Sequence, residues 1–218
     1  MNINTQFNLS ESTPLCQIMG ELGSDKGSLN NRQWHNYTKL YYPLFRNVVN
    51  DPINIFELGV GTNNPNVPSN MGVNYQPGSS LRGWEIFFKN GKIFGADIDK
   101  NILFNTGRIR TYYCDQTNKE VINEMWNHPD LREKFDIIIE DGLHEYDANV
   151  IFFENSIHKL KKGGIYIIED IKNSELGKFM NKINEWKMKY QNLLFRLEIL
   201  PHYNVADNTV LIVQKFSD

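Results

Sequence analysis

Cysteine is almost missing from this chain of 218 residues. Cys16 and Cys114 are too few for a disulfide framework, which points away from a secreted, stapled scaffold and toward a reducing cytoplasm. Excess positive charge is missing too. With 23 Lys+Arg against 26 Asp+Glu, the net charge of −3 gives no overall field to hold a polyanion, so nucleic acid is not an expected partner. No apolar run is long enough to span a bilayer, and MNINTQFNLSESTPLCQIMG has no basic stretch followed by an apolar one, so neither a membrane partner nor a secretory signal is expected. Internal repeats and low-complexity tracts are likewise lacking. What is present, 40% hydrophobic and 22% charged residues over this length, suits one α/β domain with its own core.

Ser12-Thr13-Pro14 opens a helical pattern that ends at Gly23, and residues 36–50 carry Leu40, Tyr41, Leu44, Phe45, Val48 and Val49 at helical spacing. The pattern then changes to short, nearly continuous apolar runs, the mark of strands buried on both faces of a parallel sheet. Strands are predicted at 54–58, 92–96, 108–114, 136–139, 165–168, 195–200 and 210–214, with helices at 80–89, 119–127, 146–160 and 174–193. The expected fold is a doubly wound, seven-stranded, mostly parallel sheet with an antiparallel last strand and two N-terminal helices. A TIM barrel would need three more units. The one long loop, 62–80, is dense in Asn, Pro, Ser and Gly, and leads into Ser79-Ser80, which could cap the next helix.

In such a sheet, ligands lie beyond the carboxyl ends of the strands, and four of those ends are acidic. INIFELGVGT places Glu57, Gly59 and Gly61 where the first strand turns, and glycine there permits close approach of a ligand to the backbone. KIFGADID ends in Asp97, suited to accept from both hydroxyls of a ribose. A dinucleotide fingerprint is disfavoured: Asn64 stands where the third glycine belongs, and Asp97 is 38 positions beyond Gly59 instead of about 20. YYCDQTN offers Asp115 and Gln116 at the level of an adenine, with a helix cap near Asn118 as the alternative role. Cys114 reads as a small buried hydrophobe, since no neighbouring cation in sequence would lower its pKa.

The ordered set FELGVG, FGADID, CDQT, FDIIIEDGLH and LKKGGIYIIEDI resembles the class I S-adenosylmethionine-dependent methyltransferases over about residues 53–215. EDGLH followed by IIED further resembles the metal-dependent sugar O-methyltransferases of macrolide tailoring and their relatives in surface-polysaccharide gene clusters. The resemblance implies that Glu57, Gly59 and Gly61 hold the methionine part of the cofactor, Asp97 its ribose, and that Asp115 lies near its adenine; Gln116 and Ser80 are further candidate cofactor contacts. It also implies that Asp141, Glu169 and Asp170 bind Mg²⁺ or another hard divalent cation and that His144 is the general base. The chain departs from the commonest Asp-Asp-Gly-Ser-His form by Glu140 and Leu143. On this reading residues 1–50 are a helical segment covering the active site, and 51–218 form the cofactor-binding catalytic domain.

Physical chemistry supports the same grouping. The strands before Asp141 and Glu169-Asp170 are neighbours in the usual order of this fold, so three carboxylates would meet, and a hard cation relieves their repulsion. The alternative is that Glu169 and Asp170 cap the next helix while Asp141 binds loop amides. His144, three residues after Asp141, would address the same substrate, whereas His128 and His158 read as bystanders. His35, Tyr37 and Lys26, in the basic and aromatic segment ahead of the core, and His202, between the last two strands, are candidate substrate contacts. The expected partner is a small sugar or nucleotide sugar; a homodimer is left open.

Overall fold

Strand residues alternate between two faces, and here both faces are apolar, so each run is buried from two sides. The computed structural model describes residues 1–27 and 34–218. Its eight-stranded sheet runs β3-β4-β2-β1-β5-β6-β8-β7. The parallel strands β1 (Asn54–Leu58), β2 (Lys92–Asp97), β4 (Ile109–Tyr113), β5 (Phe135–Glu140) and β6 (Leu160–Ile168) form its body. β8 (Thr209–Lys215) enters antiparallel between β6 and the edge strand β7 (Leu193–Ile199). Ile55, Ile93, Ile137, Ile139, Ile165 and Ile212 pack on one face against α1 (Pro14–Glu21), α2 (Tyr37–Phe45) and α3 (Ser79–Phe87). Phe56, Ile138, Tyr166, Leu211 and Val213 fill the other, under α4 (Lys119–Trp126), α5 (Tyr146–Ser156) and α6 (Leu176–Lys189). No described helix is long and apolar enough to cross a membrane.

The sheet has one strand more than the seven expected. β3 (Asn105–Thr106) folds back on β4 through Gly107, at φ 49°. Both its residues are polar and exposed, so they left no apolar trace. Other boundaries moved where apolar spacing fits helix and strand alike. α6 ends at Lys189, and Leu193 opens β7; the helix expected to reach residue 160 stops at Ser156, and β6 starts at Leu160 with two exposed residues, Lys162 and Gly163, in its first half. The predicted cap at Ser79-Ser80 is absent. Gly78, at φ 80°, takes the cap position, Ser79 donates to the Gln76 carbonyl, and Ser80 donates to Glu57.

The chain goes from β1 to β2 on one side and β5 lies on the other, so the crevice opens between the carboxyl ends of β1 and β5. The two loops that leave there touch. Gly59 has φ 95°, and a Cβ on it would lie 1.9 Å from the Asp141 carbonyl oxygen. Gly59→Ala therefore combines left-handed strain with a backbone clash that no rotamer relieves. It is expected to cost about 3 kcal/mol or more, read as a fall in melting temperature of roughly 6–12 °C.

Candidate active site

A cavity of about 480 Å³ occupies this crevice, within the usual range of ligand pockets. Gly59, Gly61, Ser80, Asp97, Asp115 and Gln116 line it together with Asp141, His144 and Asp170. Asp97 is aimed by the backbone: its two oxygens accept from the Val60 N–H at 2.8 Å and the Asp99 N–H at 2.9 Å. Burial raises its pKa, and these amides work against that rise. Gln116 braces the loop after β5, donating to Glu140 at 3.0 Å and accepting from the Leu143 N–H at 2.6 Å. Asp115 accepts instead from the Thr117 N–H and hydroxyl, while Asn118 alone supplies the α4 cap, so the capping role for Asp115 falls away.

Two residues of the cavity wall have strained backbones. His144 (φ 57°) and Asp170 (φ 54°) lie in the left-handed region, which costs a non-glycine residue about 1–3 kcal/mol and persists only where the surroundings hold it. The strain aims the imidazole between two carboxylates: Nε2 lies 3.0 Å from Asp141 Oδ1, and Nδ1 lies 3.5 Å from Asp170 Oδ2. Burial disfavours the imidazolium, but Asp170 and Asp141 outweigh it and push the pKa up to about 10. Asp141, His144 and Asp170 present ligand atoms all within 4.8 Å of one another.

Glu169 is turned elsewhere. Its Oε1 accepts from the Tyr41 hydroxyl at 2.5 Å and its Oε2 from Lys26 Nζ at 2.5 Å, while Tyr37 donates to Asp170 at 2.5 Å. The same ammonium bonds Asp141 Oδ2 and lies 3.8 Å from Glu57 Oε1. Burial opposes the charge on Lys26, yet these acids hold its pKa well above the ordinary value. One ammonium cannot neutralise its neighbours. Burial raises the pKa of Glu57, Glu169 and Asp170, whereas Asp141, taken up by Lys26 and His144 against its own burial, is lowered. If Glu57, Asp141, Glu169 and Asp170 all ionise against Lys26 and His144, two negative charges remain, which is the charge of a divalent cation. The carboxylate oxygens of Asp141 and Asp170 are hard donors, and they fit such an ion, with His144 beside them.

No protein-family model matches the chain. Among curated proteins it is 30% identical to the 8-demethyl-8-(2-methoxy-alpha-L-rhamnosyl)-tetracenomycin-C 3'-O-methyltransferase of Streptomyces olivaceus, over 72% of this chain and 36% of that protein. It is 33% identical to the mycinamicin VI 2''-O-methyltransferase of Micromonospora griseorubida, over 63% of this chain and 32% of that protein. Its fold superimposes on the MycE methyltransferase, solved with Mg, SAH and mycinamycin VI, with a TM-score of 0.70 and 25% identity, over 94% of this chain and 55% of that one. The chain belongs to the class I S-adenosylmethionine-dependent methyltransferases, and the relatives it resembles are sugar O-methyltransferases of macrolide and tetracenomycin pathways. It spans about a third of the length of the curated relatives it matches.

The structure places several of the expected site residues away from the cavity or in contacts with the protein itself. Glu57 and Glu169 do not line the cavity but lie buried behind its wall, and Glu57 is bonded to Ser80 and Trp84. Lys26, expected as a substrate contact, is 2% exposed and acts as counter-ion to the acids. Tyr37 is buried against Asp170. His35 stacks on Tyr37 at 4.5 Å, pairs with Asn208 at 3.0 Å and lies 3.4 Å from Asp170, so it supports the wall. His202 faces a separate depression beside Ile199 and Pro201. The helix-cap alternative for Glu169 and Asp170 also lapses, because α6 starts at Leu176, with Glu175 at its cap position. Part of the segment ahead of α2, residues 28–33, is outside the described residues. Tyr41 was missed because its spacing is that of a buried helix face, which conceals a hydroxyl that reaches Glu169.

Proposed function

We propose that this chain transfers the methyl group of S-adenosylmethionine to a hydroxyl of a sugar, with a hard divalent cation at Asp141 and Asp170 in the cavity. The observation that carries the reading is the strained His144 held between two carboxylates at the wall of a pocket that Gly59, Gly61 and Asp97 also line. Similarity to sugar O-methyltransferases, and to MycE with its Mg and SAH, supports the cofactor, the ion and the acceptor class.

In the reaction the acceptor oxygen bonds to the methyl carbon as the carbon–sulfur bond breaks, the sulfonium electron pair returns to sulfur, and the hydroxyl proton leaves. His144 would take that proton, a contribution of about 10²–10⁴-fold. To do so it must be neutral, so the carboxylates that now hold its proton must be engaged elsewhere, as ligation of a cation demands of them. Asp141 and Asp170 would hold the ion, with Glu169 joining through an oxygen that here accepts from Tyr41 or Lys26. The ion would supply electrostatic stabilisation of the developing alkoxide. Lys26, Tyr37 and Tyr41, from the described part of residues 1–50, position the acids, which supports a covering role for that segment. The buried thiols of Cys16 and Cys114 suit a reducing cytoplasm, burial pushing Cys114 up to about 12.

Asp97→Ala is expected to weaken S-adenosylhomocysteine by about 10–100-fold, from the loss of charge-assisted hydrogen bonds to the ribose, with calorimetric titration as the check. The function itself is tested by incubating the protein with labelled S-adenosylmethionine, with and without chelator. Acceptors are rhamnosides, glycosylated polyketides and nucleotide sugars. Label transferred to a sugar oxygen and abolished by chelator is the expected result. Chelator-insensitive transfer to an amine would overturn it. The panel also separates a sugar already on an aglycone, as in the relatives' names, from a nucleotide-linked or glycan precursor.

A further inference from the structure

Beyond the acids, the rim of the cavity carries an aromatic feature that the methyl-transfer chemistry does not use. Trp84, Trp126 and Trp186 are buried, at 0%, 3% and 0% exposure, but Trp34 is 51% exposed and lines the cavity. It does not stand alone. Tyr203, 48% exposed, meets it edge to face at 5.9 Å, and His35 lies edge-on at 6.4 Å on the side of Asp170. A wide ring left half in water, buttressed by two others and open to the pocket that holds His144, is a surface suited to an apolar face. Asp25 lines the same cavity, with its Oδ2 3.9 Å from Nε2 of His35, the ring next to Trp34. A pyranose presents both complementary features, a flat patch of C–H groups and a rim of hydroxyl donors.

We infer that Trp34, backed by Tyr203, is the platform for the C–H face of the acceptor sugar, and that Asp25 accepts from its outer hydroxyls. This rests on the proposed function and adds the residues that select the acceptor. It gives to Trp34, with Tyr203 behind it, the substrate contact expected of His202, which faces another depression, and it leaves His35, which also lines the cavity but is buried and bonded to Asn208, as a support for that wall. Trp34 holds the acceptor and does not touch the transferring methyl group, so its loss affects acceptor affinity and leaves the cofactor unaffected.

Because the other three tryptophans are buried, acrylamide quenching of intrinsic fluorescence reads Trp34 alone. With S-adenosylhomocysteine and Mg²⁺ bound to the whole chain, methyl α-L-rhamnoside is expected to protect the quenchable fraction, and Trp34→Phe is expected to remove that fraction. By ligand-observed NMR, the Kd for the rhamnoside should rise about tenfold in Trp34→Ala and less in Tyr203→Ala, with S-adenosylhomocysteine affinity unchanged. Absence of protection, or equal rhamnoside Kd in Trp34→Ala and the unaltered protein, while S-adenosylhomocysteine still binds, overturns the platform. Failure of S-adenosylhomocysteine to bind at all instead defeats the proposed function, and the platform with it.

Discussion

Lys26→Met is expected to lower the stability of the metal-free protein by about 3–5 kcal/mol, a fall in melting temperature of roughly 6–20 °C. The methionine fills the same volume, so the effect isolates charge. Lys26 is the one Lys or Arg ion-paired with Glu57, Asp141 and Glu169 among the described residues, and removing it leaves buried carboxylates without their counter-ion. The loss should deepen with pH. Burial raises the folded-state pKa of Glu57 above its unfolded value. The folded state therefore binds the proton more tightly, and the stability that this supplies at low pH is lost as pH rises through the folded value. Mg²⁺ should restore part of the loss, since an ion drawn to Asp141 also lowers the negative charge around Glu169. Thermal unfolding of both proteins at two pH values, with and without Mg²⁺, checks each point. A variant as stable as the unaltered chain would mean that the acids are not ionised together.

His144→Asn is expected to lower turnover by about 10²–10⁴-fold while leaving S-adenosylhomocysteine affinity near its original value. Asparagine is chosen because it tolerates the left-handed backbone that position 144 requires, so the loop between Asp141 and α5 should keep its course. Alanine there would add backbone strain to the loss of the imidazole and blur the result. Asp97, in contrast, lines the same cavity and is proposed to hold the cofactor ribose, so its loss should affect binding. Equal loss of cofactor affinity in His144→Asn and Asp97→Ala would contradict this division of roles.

The acidic strand ends were legible because the sheet allows little choice. A parallel strand buried on both faces must end where its polar residues begin, so Glu57, Asp97 and Asp141 could be placed at one edge from the apolar runs alone. His144 was legible by its spacing from Asp141. The orientation of Glu169 was not. Consecutive residues at a strand end point in opposite directions, and which of Glu169 and Asp170 faces the cavity depends on the left-handed turn at Asp170, a tertiary constraint without a glycine to mark it. Lys26 was hidden for a different reason. It is 115 positions from Asp141, and a lysine on a polar segment carries no mark of burial until the fold supplies three acids around it. The serines before α3 looked like caps because cap residues and side chains that bond a buried acid have the same hydroxyl. Only the tertiary position of Glu57 separates the two uses.

Asp141, His144 and Asp170 are read as a site with charge left for a divalent ion, next to a pocket for the cofactor. Anomalous diffraction from crystals grown with Mn²⁺ and S-adenosylhomocysteine puts both halves of that reading to the test at once. One manganese peak bonded to carboxylate oxygens of Asp141 and Asp170, with the homocysteine sulfur in the same cavity, is the expected result. Nucleoside density in the cavity without a peak at those carboxylates, or a peak bound only elsewhere on the chain, would contradict it.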